Sequence, residues 1–250
     1  MSVFDAYIGI DYSGAGMPEA GLPGLRIYEA AGTTTPTEVR PSARAHWSRR
    51  SAAEWLDTRL HGGDRIIVGI DHGFSFPLAY FDRYGLARDW DALLDDFVAH
   101  WPTDAMSVEA LRADNARDGN ARWRRRTELR TRGTKSVFHF DVQGSVAKST
   151  HGGLPWLRML RRAHPALHCW PFDGWTPPPT ASVIAEVFPT LARALYPSEG
   201  RTADQHDAYG IARWLAEGDR DGTLTAVLQP PLSPDEAAAA LVEGWILGAG

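Results

Sequence analysis

Four acidic residues stand at places in this chain where carboxylates can do chemistry. Asp11 ends the apolar run Ala6-Tyr7-Ile8-Gly9-Ile10, and Asp71 ends a second run, Arg65-Ile66-Ile67-Val68-Gly69-Ile70. Glu186 lies inside a third, Ala181-Ser182-Val183-Ile184-Ala185-Glu186-Val187-Phe188. Asp207 falls five residues into a helix that opens at Thr202, with Ile211 and Trp214 on its face at i+4 and i+7. If the first two runs are parallel neighbours in a sheet, Asp11 and Asp71 come side by side at the carboxyl ends of their strands, the edge where α/β sheets build sites. Glu186 is placed to join them, and Asp207 faces inward from its helix. Four converging carboxylates, with no lysine or arginine in the same motifs, repel one another and resist ionisation. A divalent cation removes that difficulty. Oxygen ligands alone select magnesium or manganese, whereas zinc calls for histidine and cysteine.

Each acid has a plainer explanation when taken singly. A strand-terminal aspartate is a common turn former, and Ser13-Gly14 after Asp11 suits that role. Asp204, inside the capping box Thr202-Ala203-Asp204-Gln205, reads as an acid favoured by the helix dipole. Glu54 reads in the same way, as the capping partner of Ser51. It is the set of four on apolar elements that points to a site.

Other candidates are weaker. Gly144-Ser145-Val146-Ala147-Lys148-Ser149 lacks the glycine spacing of a phosphate-binding loop. The nine histidines are scattered along the chain, which argues against a histidine metal site; His72 and His206 adjoin candidate acids as outer contacts or as ordinary packing. The single cysteine, Cys169, can form no internal disulfide and reads as a buried thiol, so a reducing cytoplasm is expected.

Charge is unevenly distributed. The net charge of −5 conceals nine basic and three acidic residues between Arg112 and Lys135, a local balance of +6 that leaves −11 on the rest. Arg122, Trp123, Arg124, Arg125, Arg126, Arg130, Arg132 and Lys135 make a candidate nucleic-acid surface. Guanidinium groups grip phosphates bidentately, and an indole offers a face for an unpaired base. The plainer reading is a solvated loop, or arginines paired with the acidic body.

The elements that must position these residues follow from periodicity. At 250 residues, 44% hydrophobic and 23% charged, the chain is long enough and apolar enough for a filled core, which excludes a disordered or fibrous chain. No apolar run approaches the roughly 18 residues of a membrane span, and the start lacks the pattern of a signal peptide. Strands are expected at Ala6–Asp11, Leu25–Ala30 and, more weakly, Arg44–Trp47. A helix opening at Ser51 follows, stopped by Gly62-Gly63, and then the strand Arg65–Asp71. Helical periodicity returns at Trp90–Trp101, and at Leu154–Arg162 with Pro155 in the first turn. Val137–Phe140 and Leu167–Trp170 read as extended. Ala181–Phe188 is a strand, and helices open at Thr202 and Ser233. The order predicts one α/β domain over 1–250: a three-strand meander, a helix and two further parallel strands, with helices on both faces and a long insertion over about 77–180.

These residues resemble a known superfamily. Ile8-Gly9-Ile10-Asp11, Val68-Gly69-Ile70-Asp71 followed by Phe76-Pro77, Glu186-Val187-Phe188-Pro189 and Asp207-Ala208-Tyr209 look like the ribonuclease-H-like fold, and most like its predicted-nuclease group known as domain of unknown function 429. The resemblance implies a two-metal site with Asp11, Asp71 and Asp207 as matching acids and Glu186 extending the set. The expected activity is metal-dependent hydrolysis of phosphodiester bonds in DNA or RNA. One alternative is a non-catalytic module that binds nucleic acid through the basic segment, since fold alone does not specify chemistry. Another is an actin-like ATPase relative, whose first strand also runs into an acid and a glycine-rich turn; such proteins duplicate the domain, and this length leaves little room for a second copy.

Overall fold

The computed structural model describes residues 3–113 and 115–249. The buried apolar run Ala6–Asp11 forms β1, and the more polar segments Arg26–Ala31 and Thr37–Val39 form β2 and β3. Helix α1 (Arg49–His61) leads into β4 (Ile66–Ile70). Then come α2 (Leu78–Tyr84), α3 (Trp90–His100), α4 (Val108–Arg112), α5 (Arg126–Arg130) and α6 (Ala147–Ala163). Two strands follow, β5 (His168–Cys169) and β6 (Val183–Glu186). The chain continues through α7 (Thr190–Arg193), α8 (Ala203–Asp221), α9 (Thr223–Val227) and α10 (Pro234–Glu243).

The strands make one mixed sheet in the order β3-β2-β1-β4-β6-β5. The pairs β1–β2 and β2–β3 are antiparallel, while β4 lies parallel to β1 and β6 parallel to β4. The α/β architecture, with an antiparallel meander joined to parallel strands, is therefore as expected. The segment 77–180 departs from a pure insertion, because it returns to the sheet and supplies β5 along the outer edge of β6.

Side-chain parity divides the core between two faces. Ile8, Ile10, Val68, Ile70 and Ile184 pack with residues of α1, α3 and α6. Tyr7, Ile67, Val183, Ala185 and Val187 face the other way, toward Ile211 and Leu215 of α8. On that second face Gly9 and Gly69 are paired in register across β1 and β4. A Cβ on Gly9 would stand 2.1 Å from the Ala208 carbonyl oxygen, and one on Gly69 would stand 2.6 Å from Ile211. The two glycines make a trough in which the α8 backbone lies directly on the sheet.

Several sequence expectations shift. The third strand is Thr37–Val39, not Arg44–Trp47; Trp47 is buried by side-chain packing and donates its indole N–H to the Val39 carbonyl at 2.9 Å. Helix α1 starts three residues early, because Ser48 and Ser51 cap each other reciprocally and leave Glu54 exposed within the helix. Val137–Phe140 is turn rather than strand, with Phe138 stacked on Tyr80. Helix α6 begins at Ala147, so Pro155 lies in its interior. The N–H that proline lacks would have bonded the His151 carbonyl, and the Thr103 hydroxyl donates to that oxygen instead, at 2.5 Å. Among the described residues no helix is long and apolar enough to cross a membrane.

Candidate metal-binding carboxylate cleft

Register places the acids. Ile10 pairs with Ile70 across the parallel strands, so Asp11 and Asp71 follow at the same level and on the α8 face. The Asp71 N–H donates to the Ile10 carbonyl at 2.9 Å, which holds the two strand ends together. Helix α8, capped by Thr202 and Gln205, brings Asp207 to the same face. Asp204, one turn earlier, is also near: its charge is among those acting on Asp11. Asp204 therefore does more than favour a helix start, and its own carboxyl is raised by partial burial and by Asp207.

Burial and mutual repulsion dominate the electrostatics. Asp11 is only 8% exposed, and burial together with the charges of Asp71, Asp207 and Asp204 pushes its carboxyl up to about 9. Asp71 is pushed up to about 8 by burial, then by Asp207 and Glu186. One cation opposes this. Arg193 of α7 grips Asp207 bidentately, with Nε 2.7 Å from Oδ1 and an Nη2 bond to Oδ2, and its charge also lowers Asp11 and Asp71. The buried His206 turns its Nε2 to the Arg193 carbonyl at 3.2 Å and so steadies that residue. The motifs that carry the aspartates hold no basic residue, and Arg193 reaches them from outside. Nothing in the sequence marks Arg193, because its link to Asp207 exists only once α7 folds back against α8.

Glu186 acts on Asp71 through its charge, but its hydrogen bonds go elsewhere. It pairs in register with Ile70, one position short of Asp71, and so projects from the opposite face. There Arg125 holds it with two bonds of 2.7 Å, and the Phe74 N–H adds a third at 3.1 Å. Arg125 also binds Glu128 at 2.8 Å. Glu186 is thus the partner of a buried arginine, while its charge still acts on Asp71 across the cavity that both border.

The same contact removes Arg125, 1% exposed, from any phosphate-binding surface. Trp123 packs edge-on against Phe138 at the core rather than offering a face to a base. Arg124 turns back to the Glu128 carbonyl and to Thr134, and Arg130 pairs with Glu236. Arg122, Arg126 and Arg132 are exposed. Lys135 bonds the Gln143 carbonyl at 2.6 Å and borders a cavity of 180 Å³ beside Asp71, shared with Tyr12, Ser145, Ser149 and Glu186. The basic segment is therefore divided between internal structure and surface. A larger cavity of 690 Å³ lies elsewhere, against the end of α6, where Asp91, Asp95 and Asp173 already pair its arginines.

The remaining motifs are structural. Lys148 reaches Glu109 at 2.8 Å instead of a phosphate loop. His72 is buried edge-on against Tyr12, and burial lowers it to about 4. The Cys169 thiol is pushed up to about 12 by burial, which makes it inert. No family model, curated protein or solved structure matches the chain.

The donor chemistry fits a hard cation. Asp11, Asp71 and Asp207 offer only oxygens, and a single arginine offsets their charge. They are not closed about one point, for they are not among the groups of three ligand atoms lying within 4.8 Å of one another.

Proposed function

We propose that this protein is a divalent-metal-dependent phosphodiesterase of nucleic acids, with Asp11, Asp71 and Asp207 as its metal-binding acids. The observation that carries the reading is the convergence of three carboxylates, from β1, the end of β4 and α8, on one sheet face at the carboxyl edge. The strand order, an antiparallel meander followed by parallel β4 and β6, supports a ribonuclease-H-like fold. Magnesium or manganese bound there would supply an activated water and charge stabilisation for the leaving oxygen.

The chain's own residues do the rest. The two strand ends hold Asp11 and Asp71 in fixed register, and the glycine trough holds Asp207 against them. Arg193 balances the aspartates when no cation is present, and with its side chain 51% exposed it can release Asp207 for a phosphate once a cation takes over that charge. Arg122, Arg126 and Arg132 offer phosphate contacts on the surface, and Lys135 one at the cavity beside Asp71.

The test is cleavage of labelled single strands, duplexes, hybrids and junctions with magnesium or manganese, against Asp11→Asn and Asp71→Asn. Cleavage by the wild type and its loss in both folded variants is the expected result. A second reading, a non-catalytic nucleic-acid-binding module, is favoured by the Arg193 grip on Asp207. Salt-dependent binding with no cleavage of any substrate, unchanged in Asp11→Asn, would establish that reading and overturn the first.

A further inference from the structure

A second cluster lies on the other side of the sheet, where α1 packs on α6. Asp57 and His61 are one helical turn apart near the end of α1, and His164 caps α6, 107 residues after Asp57. One ring nitrogen of each histidine and one Asp57 oxygen lie within 4.8 Å of one another. His164 Nε2 stands 2.8 Å from Asp57 Oδ1, and the two imidazole rings are 4.4 Å apart between centroids. His61 Nδ1 is anchored by the Asp57 carbonyl at 2.8 Å, the kind of bond that orients a metal-binding imidazole.

We infer that Asp57, His61 and His164 form a transition-metal site, filled by zinc, that staples the end of α1 to the end of α6. Two imidazole rings and one carboxylate are a ligand set that zinc takes with three protein groups. Magnesium, which prefers oxygen, is excluded by the same chemistry. Tetrahedral zinc, with bonds of about 2.0–2.1 Å, keeps its ligands roughly 3.3 Å apart, so the 2.8 Å pair of Asp57 and His164 opens slightly and atoms standing further apart, up to 4.8 Å, close in. His61 can adjust to this, because its side chain is 62% exposed and held by one bond within its own helix turn. His164 borders the 690 Å³ cavity, from which water can reach a fourth position. The site shares no residue with the carboxylate cleft, so it stands whether or not the protein cleaves nucleic acid.

Because His61 is exposed and bonded only within its own helix turn, His61→Ala retains the fold and isolates the metal. Titration with zinc chloride at pH 8, followed by calorimetry and by the melting temperature, should show binding and stabilisation in the wild type. His61→Ala should weaken that binding by about 100-fold or more, and Asp57→Asn should also weaken it. The double variant Asp11→Asn/Asp71→Asn should keep it, and magnesium should not compete. Cobalt in place of zinc should give the visible bands of a tetrahedral site in the wild type and lose them in His61→Ala. Equal zinc affinity in wild type and His61→Ala, or no zinc binding by the wild type, overturns the assignment; so does binding abolished only by the cleft variant.

Discussion

Arg125→Ala tests whether the basic segment is built inward or outward. The guanidinium makes two 2.7 Å bonds to Glu186, one of 2.8 Å to Glu128 and one of 3.3 Å to the Glu243 carbonyl. All three charged side chains are buried: Arg125 1%, Glu128 1% and Glu186 4% exposed. Removing the arginine leaves two carboxylates in the interior. Only the backbone N–H groups of Phe74 and Arg125 remain to meet them, each at 3.1 Å. Burial already raises the Glu128 carboxyl even with the cation present. Breaking a buried pair from one side costs about 3–5 kcal/mol, because the survivor stays buried and uncompensated. For a chain of this length that amounts to a fall of about 10 °C or more in melting temperature. Urea denaturation followed by tryptophan fluorescence measures it, with the exposed Arg126→Ala as control, expected within about 0.5 kcal/mol. Arg125→Met combined with Glu128→Gln and Glu186→Gln should recover most of the loss, since an uncharged set of similar volume has no stranded charge. A stability change below 1 kcal/mol in Arg125→Ala would refute the buried role and return Arg125 to the phosphate-binding surface.

Two further outcomes follow from the cleft. Because burial and neighbouring charges raise Asp11 to about 9, the native state holds its proton more tightly than the unfolded chain; that stability is full below about pH 4 and is lost as pH rises toward 9. Asparagine mimics the protonated acid, so metal-free Asp11→Asn should match the wild type near pH 4 and exceed it by at most about 4 kcal/mol at pH 7; a difference that does not grow with pH between 4 and 9 contradicts the electrostatic account. Gly9→Ala drives a methyl to within 2.1 Å of the Ala208 carbonyl oxygen and 2.6 Å of the Ala212 nitrogen, and should lower stability by about 3 kcal/mol in thermal melts. Gly21→Ala, whose nearest neighbour is 3.6 Å away, should melt within about 0.5 kcal/mol of wild type, and equal melting of the two variants would show that α8 does not rest on the sheet at Gly9.

Local pattern was enough to locate β1, β2, β4 and β6 and to single out Asp11, Asp71 and Asp207, though it misplaced β3. The runs ending in Asp11 and Asp71 read as buried strands because continuous β-branched sequence suits burial on both faces, and their parallel register then made the two acids neighbours. The Thr202 box and the spacing of Asp207 and Ile211 likewise fixed the start and inner face of α8. What local pattern could not carry was any contact that depends on a one-residue offset or on chain folding back from a distance. Glu186 looked like a fourth ligand, but pairing it with Ile70 rather than with Asp71 turned it to the opposite face. Arg125 read as a surface cation, since its partner lies 61 residues away in sequence and charge carries no direction until the segment packs. Arg193 and His164 were silent for the same reason: an ion pair to Asp207 and a contact with Asp57 are properties of adjacent helices, not of either helix alone. Periodicity reports which side of an element is apolar, whereas the partners of a charged side chain are decided by which elements the core brings together.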